Sequence, residues 1–212
     1  MLQFLNLIIA SRYNKGDRAD DLPIPLKTSS DDELCSRDNE SDIVNYKKIY
    51  FDMDGVLSDF NKGIVELCKM EAPRQNPNTP EYDERMFNAM RKVDHFYYRL
   101  DPIENTLDLF KEVKMIYGNK VEILTAIPKA IRNIVDADTD KLEWVKKYLG
   151  DEVKVNIVLR RDKPLFAKGK DYLLIDDTPN NIDSWIKAGG DGLLFKDAES
   201  ARVELVKKAV LD

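Results

Sequence analysis

Five short apolar runs, separated by longer stretches of helical period, leave the chain after Tyr46 few ways to fold. Residues 48–52 (KIYFD), 121–125 (VEILT), 155–159 (VNIVL), 172–176 (YLLID) and 192–195 (GLLF) read as buried strands. Helical patterns are predicted between and after them, over 59–70, 81–93, 105–117, 140–149, 181–188 and 198–210. In the third of these, Leu109, Val113 and Ile116 share one side. In the fourth, Asp140 and Glu143 stand at capping-box spacing and Gly150 supplies the stop. Strands that alternate with helices require right-handed crossovers and give a parallel α/β sheet covered on both faces. Trp144 and Trp185 fall at core spacing in their helices and are assigned to packing.

In such a sheet, ligands bind beyond the carboxyl ends of the strands. The first strand here ends in Asp52-Met53-Asp54-Gly55, the second in Thr125 and the fourth in Asp176-Asp177, while Lys163 follows the third by four residues. Residues i and i+2 of an extended segment point the same way, so Asp52 and Asp54 both face the crevice. Gly55 lets the chain turn immediately afterwards. Four carboxylates gathered in one place need a cation to stay ionised together, and an oxygen-rich set without His selects Mg²⁺. One of the first two carboxylates can then act as nucleophile and the other as acid and base. A D-x-D alone also fits a solvated turn; the apolar strand running into D-x-D-G, together with the fourth strand ending in Asp-Asp, is what favours chemistry.

Composition narrows the field from the other side. One His and two Cys, Cys35 and Cys68, exclude a His-rich binuclear centre, a Cys-based zinc site and a disulfide framework. The 212 residues suit one domain with an appendage. The net charge of −6 argues against stable nucleic-acid binding. Much of that charge sits early: residues 11–42 hold nine acids and five bases in an aperiodic, Ser/Asn/Asp-rich stretch. Residues 1–46 are therefore read as a flexible acidic extension, either a plain linker or a partner-binding arm, and 47–212 as the folded domain. Residues 1–10 (MLQFLNLIIA) are apolar with no basic residue ahead of them, which argues against a secretory signal and leaves a short strand, an oligomer contact such as a homodimer, or a frayed end. No run is long enough to span a membrane, and a cytoplasmic location is expected.

Residues 51–60, FDMDGVLSDF, resemble the D-x-D-G-x-L motif of haloacid dehalogenase-like (HAD) hydrolases. The strand ending ILT at 123–125, Lys163 in RRDK and LLIDD at 173–177 are similar to that superfamily's remaining three motifs, in the same order. Within it, the chain is most similar to the 5'(3')-deoxyribonucleotidase family and to nucleotidase-like proteins of phages and bacteria. That family reads DMDGVLADF where this chain has DMDGVLSDF, and it shares likenesses to HFYYRLDPIENTLDLF, EWVKKYLG and RRDK.

The resemblance implies a HAD-like Rossmannoid sheet of about five strands, with a small helical cap over roughly 61–100 inserted after the first. It implies a Mg²⁺-dependent phosphomonoesterase acting on nucleoside monophosphates, deoxyribonucleotides in particular, by way of an aspartyl-phosphate. Catalytic roles fall on Asp52, Asp54, Thr125 and Lys163. Metal ligation falls on Asp52, Asp54 (through its carbonyl), Asp176 and Asp177. Substrate contacts fall on Phe60, Phe96, Thr125, Ala126, Lys129 and Lys163. For several of these a plainer role stays open. Phe60 also suits the core, Lys129 the surface, and one or two of Phe96, Tyr97 and Tyr98 packing alone. His95 reads as a satisfied or exposed side chain, and Arg160 and Arg161 as either a positive rim or a solvated pair. The chain departs from the family's Thr-Ser-Pro after the second strand, having Thr125-Ala126-Ile127-Pro128. Other readings are a HAD phosphatase for a different small metabolite, or an idle binding module that uses its acidic arm.

Overall fold

The computed structural model describes residues 45–73 and 79–212; the acidic stretch, Cys35 and most of the Pro-rich segment 72–80 lie outside the described residues. The elements are β1 (Lys48–Phe51), α1 (Phe60–Glu66), α2 (Pro80–Met90), α3 (Thr106–Tyr117), β2 (Val121–Ala126), α4 (Ala137–Leu149), β3 (Val155–Val158), β4 (Tyr172–Asp176), α5 (Pro179–Lys187), β5 (Asp191–Leu194) and α6 (Ala198–Lys207). The strands form one sheet in the order β3-β2-β1-β4-β5, and every neighbouring pair is parallel. The expected α/β class, parallel sheet and strand number are thus what the chain forms.

Alternation along β1 divides the core. Ile49 and Phe51 point to a large cluster with Leu109, Phe110 and Val113 of α3, Trp144 and Val145 of α4, and Leu205 of α6. Tyr50 points to the opposite face, among Leu174, Ile182 and Trp185 of α5. Both faces are therefore covered, which explains why the strands read as continuous apolar runs. Trp144 and Trp185 are buried as expected, and their indole N–H groups donate to the carbonyls of Leu100 and Tyr172. That pairing offsets the cost of burying a polar atom.

Several predicted boundaries shift for local reasons. α4 begins at Ala137, three residues before the expected start, because Ala137, Asp140, Lys141 and Trp144 must share its buried face. Asp140 is therefore inside the helix rather than capping it. α5 starts at Pro179, since a first-turn Pro loses no hydrogen bond there. α1 stops at Glu66, four residues early, and the chain turns through Lys69 at φ 54°. α6 ends at Lys207, with Ala209 in the left-handed region. Ile116 is 54% exposed rather than core, because Thr106, Leu109, Phe110 and Val113 already fill the inner stripe of α3. Between β1 and α3, α1 and α2 contribute to a separate apolar cluster of Ile64, Tyr82, Met86, Met90, Phe96, Tyr97 and Leu100.

Candidate active site

The β1–β4 register determines the first two acids. Phe51 stands opposite Ile175, so the next residues, Asp52 and Asp176, emerge side by side at the carboxyl edge of the sheet. The Asp52 N–H donates to the Ile175 carbonyl at 2.9 Å and extends the pairing by one step. Two adjacent carboxylates repel, and the chain answers with Lys163. Its ammonium lies 2.9 Å from Asp52 Oδ1 and 2.7 Å from Asp176 Oδ2, with the side chain almost wholly buried. Burial alone would pull the Lys163 pKa down, but the two carboxylates outweigh it and hold it above its ordinary value. Asp176 is pushed up by burial and by Asp52, against the pull of Lys163. Its oxygens also accept from the Thr178 N–H and from the Asn181 amide, each at 2.9 Å. Asn181 sits in the first turn of α5, so that helix braces the acid from behind.

Asp54 is held by a different set. Lys141 of α4 donates to Oδ2 at 2.5 Å and Ser58 Oγ to Oδ1 at 3.2 Å. Its carboxyl pKa is raised; burial is the main cause and Asp52 adds to it, while Lys141 and Ser58 oppose. A carboxyl that resists ionisation is suited to carry a proton to a leaving group. Thr125, fully buried at the end of β2, accepts from Lys141 at 2.9 Å through Oγ1. Lys141 thus links the end of β2 to the β1 motif.

Asp177 follows Asp176 and is half-buried, with its Oδ1 accepting from Thr178 Oγ1 at 3.3 Å. Gly55 turns beneath it at φ +81°, and a Cβ there would collide with the Asp177 carboxylate. Only glycine allows that approach. Oxygens of Asp52, Asp176 and Asp177 lie within 4.8 Å of one another. This all-carboxylate donor set fits a hard divalent cation.

The aromatic positions form a wall beside this floor. Phe60, half-buried at the start of α1, lies edge-on to Phe96 at 5.7 Å and stacks with Tyr97 at 6.3 Å. The Lys141 ammonium sits 4.5 Å from the Tyr97 ring centre. Tyr97 resists ionisation because it is buried and faces Asp54. Ala126 ends β2 half-buried. Lys129 stands exposed outside the Asp52–Lys163 network, and Tyr98, Arg160 and Arg161 are also exposed. His95, at φ 54°, joins Asp140 of α4 through Nδ1 at 2.8 Å.

Sequence reasoning passed over Lys141 and left Ser58 unassigned. Lys141 had a detectable signal: a lysine three residues before Trp144, on the buried stripe of an amphipathic helix, needs a counter-charge in the interior. Ser58 offered less, since a small residue in a loop after D-x-D-G gives no hint of its partner.

A family model described as 5' nucleotidase, deoxy (pyrimidine), cytosolic type C protein matches residues 46–209. The mitochondrial 5'(3')-deoxyribonucleotidase of Homo sapiens is 26% identical over 175 residues, covering 74% of this chain and 74% of that protein. The cytosolic type from Homo sapiens is 28% identical over 147 residues, 61% of this chain and 70% of that protein. Among solved structures, a HAD family hydrolase from Deinococcus radiodurans R1, with bound phosphate and sodium, is 12% identical with a TM-score of 0.49, covering 79% of this chain and 98% of that one.

Proposed function

Because the chain belongs to the deoxy (pyrimidine), cytosolic type C 5' nucleotidase family and is a phosphoric monoester hydrolase, we propose that it removes the phosphate from deoxyribonucleoside monophosphates through an aspartyl-phosphate. Asp52 attacks phosphorus in line, and the bond to the nucleoside oxygen breaks. Asp54 delivers its proton to that oxygen, then takes one from the water that cleaves the acyl phosphate. The products are a nucleoside and inorganic phosphate. Thr125 donates to a phosphoryl oxygen. Lys163 balances the phosphoryl charge and orients Asp52. Phosphoryl transfer asks mainly for such positioning and charge stabilisation.

The carboxylates of Asp52, Asp176 and Asp177, with the Asp54 carbonyl, would hold Mg²⁺, which when bound neutralises negative charge at the phosphoryl group. Phe60, half-buried, offers a face to the base, and Phe96, buried behind it, supports that ring rather than touching the base itself. Lys129 and Ala126 fall at the phosphate side in this reading. The segment 61–100 acts as the cap that excludes water and limits the site to small substrates. Residues 47–212 carry every candidate site residue and Tyr46 packs in their core, so removing residues 1–44 leaves turnover largely unchanged.

The observation that carries this reading is the division of labour between neighbouring carboxylates. Asp52 is engaged by Lys163 at 2.9 Å, whereas Asp54 is engaged by Lys141 and Ser58 and resists ionisation. The test is phosphate release from a panel of nucleotides and sugar phosphates with Mg²⁺. Turnover confined to sugar phosphates overturns the nucleotide assignment. Turnover that persists fully in a chelator overturns the cation.

A further inference from the structure

Ser58 is fully buried on the loop that folds back over the end of β1, four residues after Asp54. Several backbone bonds lock that loop. The Ser58 N–H donates to the Met53 carbonyl at 2.9 Å, the Gly55 N–H donates to the Ser58 carbonyl at 2.8 Å, and Ser58 bridges to both Asp54 and Pro102. The hydroxyl therefore has a fixed position. It lies 3.2 Å from Asp54 Oδ1 and 3.3 Å from the Met53 carbonyl. Lys141 holds the other oxygen, Oδ2.

We propose that Ser58 is a positioning residue that fixes the plane of the Asp54 carboxyl for proton delivery to the leaving oxygen. The proposal rests on the role given to Asp54 above. Two donors on two different oxygens leave a carboxyl group no rotation about its last bond, whereas one donor leaves it free to swing.

The test compares leaving groups, which a merely structural role would not separate. A nucleoside alkoxide leaves only with a proton, whereas p-nitrophenolate leaves without one. The quantity to read is kcat/KM, which for this scheme ends at the first phosphoryl transfer and excludes the later attack of water. Ser58→Ala should lower kcat/KM for a deoxyribonucleoside monophosphate roughly tenfold, the contribution of one hydrogen bond to a charged group. For p-nitrophenyl phosphate it should stay within about twofold. Ser58→Cys, which keeps the bulk but donates weakly, should behave like Ser58→Ala. Thermal unfolding of each variant controls for folding. Equal losses on both substrates, or no loss on either, overturn the role of Ser58. The unaltered protein is run on the same panel. If it hydrolyses other alkyl phosphates but no nucleotide, the substrate assignment fails while the leaving-group ratio still reports on Ser58. If it hydrolyses only the aryl ester, Asp54 is not the acid and both readings fall.

Discussion

The floor of the crevice and the aromatic wall beside it are held by different forces. On the floor, each charged group is fixed by another: Lys163 between Asp52 and Asp176, Lys141 between Asp54 and Thr125. Asp52, Thr125 and Asp176 stand at strand ends whose positions the sheet register determines, and the two lysines reach them from α4 and from the segment after β3. The wall of Phe60, Phe96 and Tyr97 is held by ring contacts and apolar burial within the α1–α2 cluster. Buried charge-assisted hydrogen bonds need close geometry and leave an unpaired charge when displaced, while apolar packing accepts volume-conserving change. Chemistry should thus be lost sharply by changes on the floor and substrate preference gradually by changes on the wall.

The largest effect falls on the nucleophile. Asp52→Asn should reduce kcat by at least about 10⁴-fold on every substrate, as removal of a nucleophile does elsewhere. Circular dichroism should show the fold retained. Activity that survives this change would break the contrast at its strongest point.

Lys163→Met separates stability from chemistry on the same floor. It leaves Asp52 and Asp176 buried side by side without their ammonium. Breaking a buried ionic cluster in this way costs about 3–5 kcal/mol, read by denaturant unfolding in the absence of divalent ions. Mg²⁺ should then raise the melting temperature of the variant more than that of the unaltered protein, because the cation replaces the missing positive charge. Equal shifts in both would show that Lys163 and the cation do not neutralise the same carboxylates.

Phe60→Ala tests the wall. The expected outcome is a rise in KM for nucleotides of roughly tenfold, consistent with loss of one aromatic contact, with kcat within about threefold. Hydrolysis of p-nitrophenyl phosphate, which has no base to stack, should change little. A fall in kcat on both substrates would place Phe60 in the machinery of the floor.

The same contrast explains which parts of the molecule the sequence disclosed. Asp52, Asp54, Thr125 and Asp176 end apolar strands, and a strand pattern locates its own carboxyl end, so their meeting place followed from topology. Lys163 follows β3 closely enough to be carried along. Lys141 reaches the site from the first turns of α4, and its role depends on which way that helix rolls. The expected capping box at Asp140 and Glu143 concealed that orientation, because the acidic run before the helix offers several capping residues and only packing selects Asp136. The partnership of Asp140 with His95, 45 residues away, was invisible for the same reason.

His95 supplies the smallest effect, at the contact that ties the aromatic wall to α4. The His95 pKa is raised, first by its hydrogen bond to Asp140 and also by the negative charge of Asp140, Asp136 and Asp94. Its folded value therefore lies above the ordinary value of about 6.5 that it has in the unfolded chain. A group with this sign stabilises the folded state fully below about pH 6.5, and the contribution disappears as pH rises through the folded value. His95→Asn should thus lower the melting temperature most near pH 6, by no more than a few degrees because the ring is solvent-exposed. The gap should close as the solution becomes alkaline. If the contact also sets the wall, the KM for a nucleotide in the unaltered protein will rise over that pH window while p-nitrophenyl phosphate turnover does not follow. A melting-temperature gap that stays constant or widens with pH would mean that His95 serves through shape rather than charge, and the wall would then owe nothing to titration.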